Sequence, residues 1–327
     1  MLVGLTYDLR SDYLKEGFTE EETAEFDRDS TLIFLEEALQ SLVYQTDRIG
    51  NVRHLINRLA GGSRWDIVFN ICEGLYGIGR EAQVPAILDS YQIPYTFSDP
   101  LVLSLTLHKG LTKTIIRANG IETADYSVVY DSTDVEKVRL NYPLFVKPVA
   151  EGTGKGIDEK SRIDNPNQLR EVCAKELLKY PAGLLIERYL SGREITVGIL
   201  GTGKESRVIG TMEILFVARD AHNIYSLQTK SNYEALVQYR IHEKNIAEEC
   251  AELALKVWQL LGCRDAGRVD ILYDAKGTAH FIEVNPLAGL DKKHSDLPIL
   301  AYKHGYTYNR IIEEIMNSAL MRIIRHE

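Results

Sequence analysis

Apolar residues in the first third of the chain fall in short runs separated by stretches of helical spacing. Leu2–Tyr7 has the look of a buried parallel strand. From about Asp27 to Tyr44, Leu32, Leu35, Ala38, Leu39 and Leu42 recur at helical intervals, which predicts a helix. Trp65–Cys72 (WDIVFNIC) is a second apolar strand, Glu81–Tyr91 a short helix and Ile93–Phe97 a further strand. This alternation predicts an open parallel sheet covered on both faces. A long helix is expected from Pro100 to Asn119, ended by Gly120, with Lys109 and Lys113 four apart on one face. From spacing alone that face is expected to be solvated.

The pattern then changes to that of an α+β region. YPLFVKPV, from Tyr142, is strand-like and leads into the glycine-rich AEGTGKGI. A helix is expected from Pro166 to Tyr180, followed by the strands LLIERYL and EITVGIL around Ser191-Gly192. The last third predicts a strand at Arg207–Val217, a polar stretch from Ala218 to Tyr239 and a helix at Asn245–Leu261. GRVDILYDAKGTAHFIEVNP follows as a β-hairpin turning at Asp274–Gly277, and a final helix begins near Tyr308.

At 327 residues the chain is long enough for about two domains of ordinary size. Its hydrophobic fraction of 45% supplies a core without disulfides or metal staples. The net charge of −9 argues against a nucleic-acid partner, which would recruit a basic face. It leaves ATP open, since a nucleotide needs only a local nest of cations and N–H groups. Cys72, Cys173, Cys250 and Cys263 are scattered without C-x-x-C spacing and read as reduced, packed thiols. The N-terminus lacks the basic and apolar regions of a signal peptide, and no window resembles a membrane span. A cytoplasmic protein with no membrane partner is expected.

Three stretches carry candidate chemistry. In the hairpin, Glu283 and Asn285 are two residues apart on one strand and so share a face. The turn brings Asp270 within a residue or two of Glu283 across the ladder. Two carboxylates and a carboxamide are hard oxygen ligands suited to Mg²⁺ that also holds phosphate. An edge hairpin with solvated acids is the alternative, but FIEVNP is otherwise apolar, so buried polar groups there need a partner. The second stretch is Lys147–Gly156 (KPVAEGTGKG), whose alternate glycines can present backbone N–H groups to an anion with Lys147 nearby. It lacks Walker A and Rossmann spacing, and a plain hairpin loop remains open. The third is Leu185–Glu194 (LIERYLSGRE). There Glu187, Tyr189 and Glu194 could serve an adenine slot and a ribose, or simply decorate a half-buried strand.

Taken in order, these stretches resemble the ATP-grasp superfamily, and within it the D-alanine–D-alanine ligases. The resemblance spans nearly the whole chain and is strongest from Trp65 onward. FVKPVAEGTGKGI, LIERYLSGREITVGILG, GRVD with FIEVNPLAGL, and GREAQVPAILDSYQIPYTFSDPLVLSLTLHK carry it. It implies α/β and α+β architecture: an ATP-grasp fold with an N-terminal parallel-sheet domain. The expected divisions are residues 1–108, 109–189 with the glycine loop, and 190–327 with the metal site. By the same match Lys109 and Lys147 would hold phosphates, and Gly152, Thr153 and Gly154 would cover them. Glu187, Arg188 and Leu190 would contact adenine beside Tyr189, and Glu194 the ribose. Asp270, Glu283 and Asn285 would bind two Mg²⁺ ions, for which Mn²⁺ could substitute. Arg268 and the Gly289 N–H would stabilise an oxyanion. A homodimer is the family expectation.

The departures from the family lie on the substrate side. Its GGxSxERxxS start is absent, and Asp27-Arg28-Asp29-Ser30 is the best substitute. Cys72-Glu73-Gly74 stands where the family has a histidine, and Lys230-Ser231 where it has a lysine–tyrosine pair in a lid, here expected around His222–Tyr233. Ser295 corresponds to a substrate-side serine with a register slip of one. Glu73 would suit an ammonium and Arg80 a carboxylate, unless this loop merely starts a helix with Glu81 in its first turn. The expected activity is therefore an ATP-dependent ligation of a carboxylate to an amine, with small-molecule acid and amine substrates. The alternatives are a small-molecule kinase of the same fold and a non-catalytic nucleotide-binding module.

Overall fold

The structure, a computed structural model, describes residues 1–216, 237–241 and 243–324. The expected lid around His222–Tyr233, with Lys230 and Ser231, lies outside the described residues.

The N-terminal part holds β1 (Leu2–Tyr7), α1 (Arg10–Lys15), α2 (Asp29–Ser41), β2 (Gln45–Gly50), α3 (Val52–Ala60), β3 (Ile67–Ile71) and α4 (Gln83–Ser90). Its three strands are parallel in the order β2-β1-β3. Both faces are covered, as the alternating pattern predicts. Val3, Leu5 and Phe69 pack with Leu32, Leu35 and Leu39 of α2 on one side. Val68 packs with Leu55 and Leu59 of α3 and Leu88 of α4 on the other. The periodicity reading missed β2 and α3, whose polar content (QTDRIG, VRHLINRLA) hides them. Ile93–Phe97 is not a ladder strand: it makes a single bridge, Val68 with Tyr95, before Phe97 turns with φ +71° and gives its N–H to Asp265 at 2.7 Å.

The expected long helix is two helices, α5 (Pro100–Leu107) and α6 (Lys109–Ala118). Asp99 caps α5, accepting from Val102 N at 3.0 Å. His108 leaves helical geometry with ψ +88°, and its Nδ1 accepts from Leu111 N. The break has a tertiary cause. Lys109 N–H donates to Val149 O at 3.0 Å, at the end of a strand of the next sheet, which sets Lys109 at the start of α6 beside the glycine loop.

That sheet comprises β4 (Tyr126–Val129), β5 (Leu144–Pro148), β6 (Arg162–Ile163) and β7 (Leu184–Arg188), antiparallel in the order β4-β7-β5-β6. Two helices cover it, α7 (Ser132–Val135) and α8 (Pro166–Lys179). Asn165 caps α8 ahead of Pro166. The remaining strands are β8 (Glu194–Leu200), β9 (Arg207–Phe216), β10 (Val237–Arg240), β11 (Ala266–Tyr273) and β12 (Ala279–Asn285), in the order β10-β9-β8-β11-β12. One face of this sheet buries Ile195, Val197, Val269 and Ile271 against Ala254, Val257 and Trp258 of α9 (Lys244–Leu261). The chain ends with α10 (Asp296–Lys303) and α11 (Tyr308–Ile324). Ile311 and Ile315 of α11 return to the core of the N-terminal sheet, so the last segment is packed against the first.

Candidate active site

The polar face of the five-stranded sheet builds the site. Arg268 and Asp270 on β11 and Glu283 and Asn285 on β12 project from it together. Arg268 stands opposite Asn285, and Asp270 opposite Glu283. Asn285 Nδ2 donates to Asp270 Oδ2 at 3.2 Å, and Thr196 of β8 donates to Asp270 Oδ1 at 2.8 Å. Arg268 Nε lies 3.3 Å from both Asp270 oxygens, and its Nη1 is 3.6 Å from Asp296. Burial and the neighbouring Glu283 lift the Asp270 carboxyl above its ordinary value, against the pull of Arg268. Among the described residues no three His, Cys, Asp or Glu side chains form a metal cage. The all-oxygen donor set of Asp270, Glu283 and Asn285 instead suits a hard divalent ion that completes its shell with phosphate and water.

A cavity of about 510 Å³ lies over these residues. Phe145, Ile157, Leu190, Ile214, Leu272 and Ile282 give it apolar walls, and Lys147, Glu194 and Gly152–Gly154 line it as well. Its size and its apolar walls with a few polar groups are those of a small-molecule or cofactor site. Lys147 Nζ is 2.7 Å from Glu187 Oε1, and Glu187 Oε2 is 2.9 Å from Lys113 Nζ. Burial raises the Glu187 carboxyl, but the two lysines outweigh it and hold it down at about 2. The Glu187 carboxylate is thus paired with two lysines at the wall of the cavity that Glu187 lines, and its backbone is laddered to β4 and β5. The side chain of Arg188 likewise turns to Asp274 (3.6 Å) and His280 (3.4 Å). Tyr189 packs on Phe145 beneath the Arg162 guanidinium. The expectation that Lys109 and Lys113 face solvent is also overturned. Lys113 is wholly buried and Lys109 nearly so, because α6 is wedged between two sheets.

A second cavity, of about 460 Å³, adjoins the first. Lys109, Glu151, Gly152, Thr153, Arg268 and Glu283 belong to both walls. Gly289 and Ser295 line it; the Ser295 hydroxyl accepts from Asp291 N at 3.0 Å and lies where a Cβ on Gly289 would point. Glu73 and Glu81 line it too. Burial and mutual repulsion raise Glu73 well above the ordinary carboxyl range, and burial takes Glu81 up to about 7.

Arg80 does not line this cavity. It is buried, giving Nη1 to Ala150 O at 2.8 Å and Nη2 to Glu25 at 2.9 Å. The expectation that it takes a substrate carboxylate is corrected: its fork is spent tying the glycine loop to the N-terminal segment. Lys155 joins this knot, 2.7 Å from Glu151 and 3.7 Å from Glu25. Gly152 lies so close to Glu25 that any side chain would collide with it. Thr153 and Gly154 both have positive φ, which folds the loop back over the cavity. Sequence reasoning missed Glu25, Lys113 and Asp296. Only Lys113 left a signal, its place four residues after Lys109 beside the apolar Ile116.

The family model described as the D-ala D-ala ligase C-terminus matches residues 115–317. The D-alanine–D-alanine ligase of Glaesserella parasuis is 30% identical over 286 residues, 86% of this chain and 89% of its own length. The chain belongs to the D-alanine–D-alanine ligase family. It is an ATP-dependent, ADP-forming ligase that joins a carboxylate to an amine. An uncharacterised protein of Sinorhizobium fredii is 31% identical to this ligase over 262 residues, 78% of this chain and 75% of its own. In fold the ligase is similar to the crystal structure of the Bacillus anthracis D-alanine–D-alanine ligase complexed with ATP. The TM-score is 0.75 at 21% identity, with both chains covered in full.

Proposed function

We propose that the larger cavity holds ATP and the smaller one the acid and amine, with phosphoryl transfer at their shared wall. The observation that carries this reading is that Lys109, Arg268 and Glu283 border both cavities at the point where Asp270 and Asn285 also converge. Lys109 and Lys147 would hold phosphate oxygens, and Gly152, Thr153 and Gly154 would close over them with backbone N–H groups. Glu187, Arg188, Tyr189 and Leu190 would flank adenine, and Glu194 would accept from the ribose. Asp270, Glu283 and Asn285 fit Mg²⁺, which when bound would neutralise charge on the transferring phosphoryl group.

A carboxylate is a poor electrophile, so it first attacks the γ-phosphorus and releases ADP, giving an acyl phosphate. The amine then adds to the acyl carbon. Arg268 and the Gly289 N–H would stabilise the tetrahedral oxyanion, and phosphate leaves as the amide forms. Closure of the glycine loop keeps water from the acyl phosphate. The acid and amine are proposed to be amino acids or close relatives, with Glu73 and Ser295 on their side of the site. D-alanine itself is not favoured, because this side departs most from the family. The free, buried state of all four cysteines supports a reducing, cytoplasmic setting. The functional divisions are placed at 108/109 and 189/190.

The test is phosphate release from ATP and Mg²⁺ with amino acids supplied singly and in pairs. Release that requires a pair, with an amide product, supports the ligase. A stable phosphorylated product from a single substrate would move the reading to a kinase.

A further inference from the structure

Lys113 touches neither cavity, yet it is the most deeply buried cation of the site. It is wholly enclosed in the second turn of α6, with Nζ 2.9 Å from Glu187 Oε2. It also donates to Thr123 Oγ1 at 2.8 Å and to Phe281 O at 3.4 Å, and lies over the Phe281 ring. Burying an ammonium costs several kcal/mol unless it is paired, roughly what an apolar residue of the same length would avoid. The packing therefore does not account for a lysine here. Its partner does, because the other oxygen of that carboxylate is 2.7 Å from Lys147, which lines the nucleotide cavity.

We propose that Lys113 is a positioning residue for ATP, acting through Glu187 on Lys147. This rests on the nucleotide reading of the larger cavity. Without Lys113, Lys147 and Glu187 would form a neutral pair, and a phosphate would have to compete with the carboxylate for the ammonium. With Lys113 sharing the carboxylate, the trio carries one net positive charge. Glu187 then fixes the direction of Lys147 without cancelling it. In a low-dielectric wall, one charge added to or removed from the groups around a bound anion changes its affinity by about tenfold or more.

The test uses charge balance. Lys113→Gln keeps a donor for Thr123 and Glu187 but removes the charge, and Lys113→Gln with Glu187→Gln restores the net charge through Lys147 alone. Dissociation constants for ATP with Mg²⁺ are measured by calorimetry on the full chain without acid or amine, with thermal unfolding as the check on folding. The single variant is expected to bind ATP about tenfold more weakly than wild type. The double variant is expected to recover to within about threefold of wild type. A merely structural lysine would lower thermal stability in the single variant while leaving the ATP dissociation constants of both variants near wild type. Unchanged affinity in the single variant, or a double variant that binds no better than it, overturns the proposal. Where the single variant does not fold, the double variant decides alone, since affinity well below wild type refutes charge balance. Wild-type protein that binds no ATP refutes the nucleotide reading itself, and is a distinct result.

Discussion

Asp270 and Glu283 stand directly opposite each other across β11 and β12 because the ladder slips by one between Asp270 and Ile271. On the turn side Ile271 pairs with Phe281; on the site side Asp270 pairs with Glu283, leaving Ile282 as the extra residue. In an unbroken ladder Asp270 would meet Ile282, and Glu283 would point into the core with the opposite face. One extra residue therefore brings both carboxylates onto the face that carries Arg268.

Glu283→Gln keeps the shape of that face and removes one of its two carboxylate charges. Phosphate release with a competent substrate pair is expected to fall roughly 100-fold or more. Stability should change by only about 0–1 kcal/mol, because the contact with Lys109 is a loose 3.6 Å pair. Turnover and thermal unfolding measured on the same preparation check both halves. Undiminished turnover would remove the metal site.

Arg268→Ala should lower kcat by about 10²–10³-fold while leaving the dissociation constant for ATP little changed. Arg268 sits at the shared wall and is paired with Asp270 and Asp296. Loss of ATP binding as large as the loss in kcat would place it on the nucleotide instead of on the reacting carbon.

Arg80→Met leaves Glu25 buried without its guanidinium. The expected cost is about 3–5 kcal/mol in urea unfolding, with KM for ATP raised as the glycine loop loosens. An unchanged KM would show that the loop does not depend on this knot.

Two carboxylates should give opposite pH signatures. Glu187 is held at about 2, below its ordinary 4.5. Its contribution is complete above pH 4.5 and disappears as pH falls towards 2. In acid titrations monitored by circular dichroism, Glu187→Gln should lack this slope.

Glu81 is raised from 4.5 to about 7. The folded chain keeps a proton that the unfolded chain has already released, so stability falls as pH rises from 4.5 to 7. Relative to wild type, Glu81→Gln should gain stability across that window. Melting temperatures at pH 4.5 and pH 8 decide it: a difference that does not grow with pH would contradict the assignment.

Much of the architecture was legible because it follows from periodicity. The parallel sheet, the hairpin and the pairing of Glu283 with Asn285 all rest on two-residue alternation or helical spacing. The slip at Ile282 was not legible, since nothing distinguishes that isoleucine from its neighbours until the turn fixes the register. The break at His108 was hidden for a related reason. Both flanking segments favour helix, and the interruption comes from a backbone bond to Val149, remote in sequence. Arg80 and Lys113 were misread because their charges suggested substrate and solvent, whereas each is paired with a distant acid, Glu25 or Glu187, that only the fold brings near.

Glu151, Gly152 and Thr153 form a partition with one face to each cavity, anchored from behind by Arg80 and Lys155. A ligand that drew this partition inward from one side would also move the wall of the other. On the proposed reading of the cavities, whatever factor ATP then applied to the affinity for the acid, thermodynamic reciprocity would require the acid to apply to the affinity for ATP. The partition would thus couple the two compartments within a single chain.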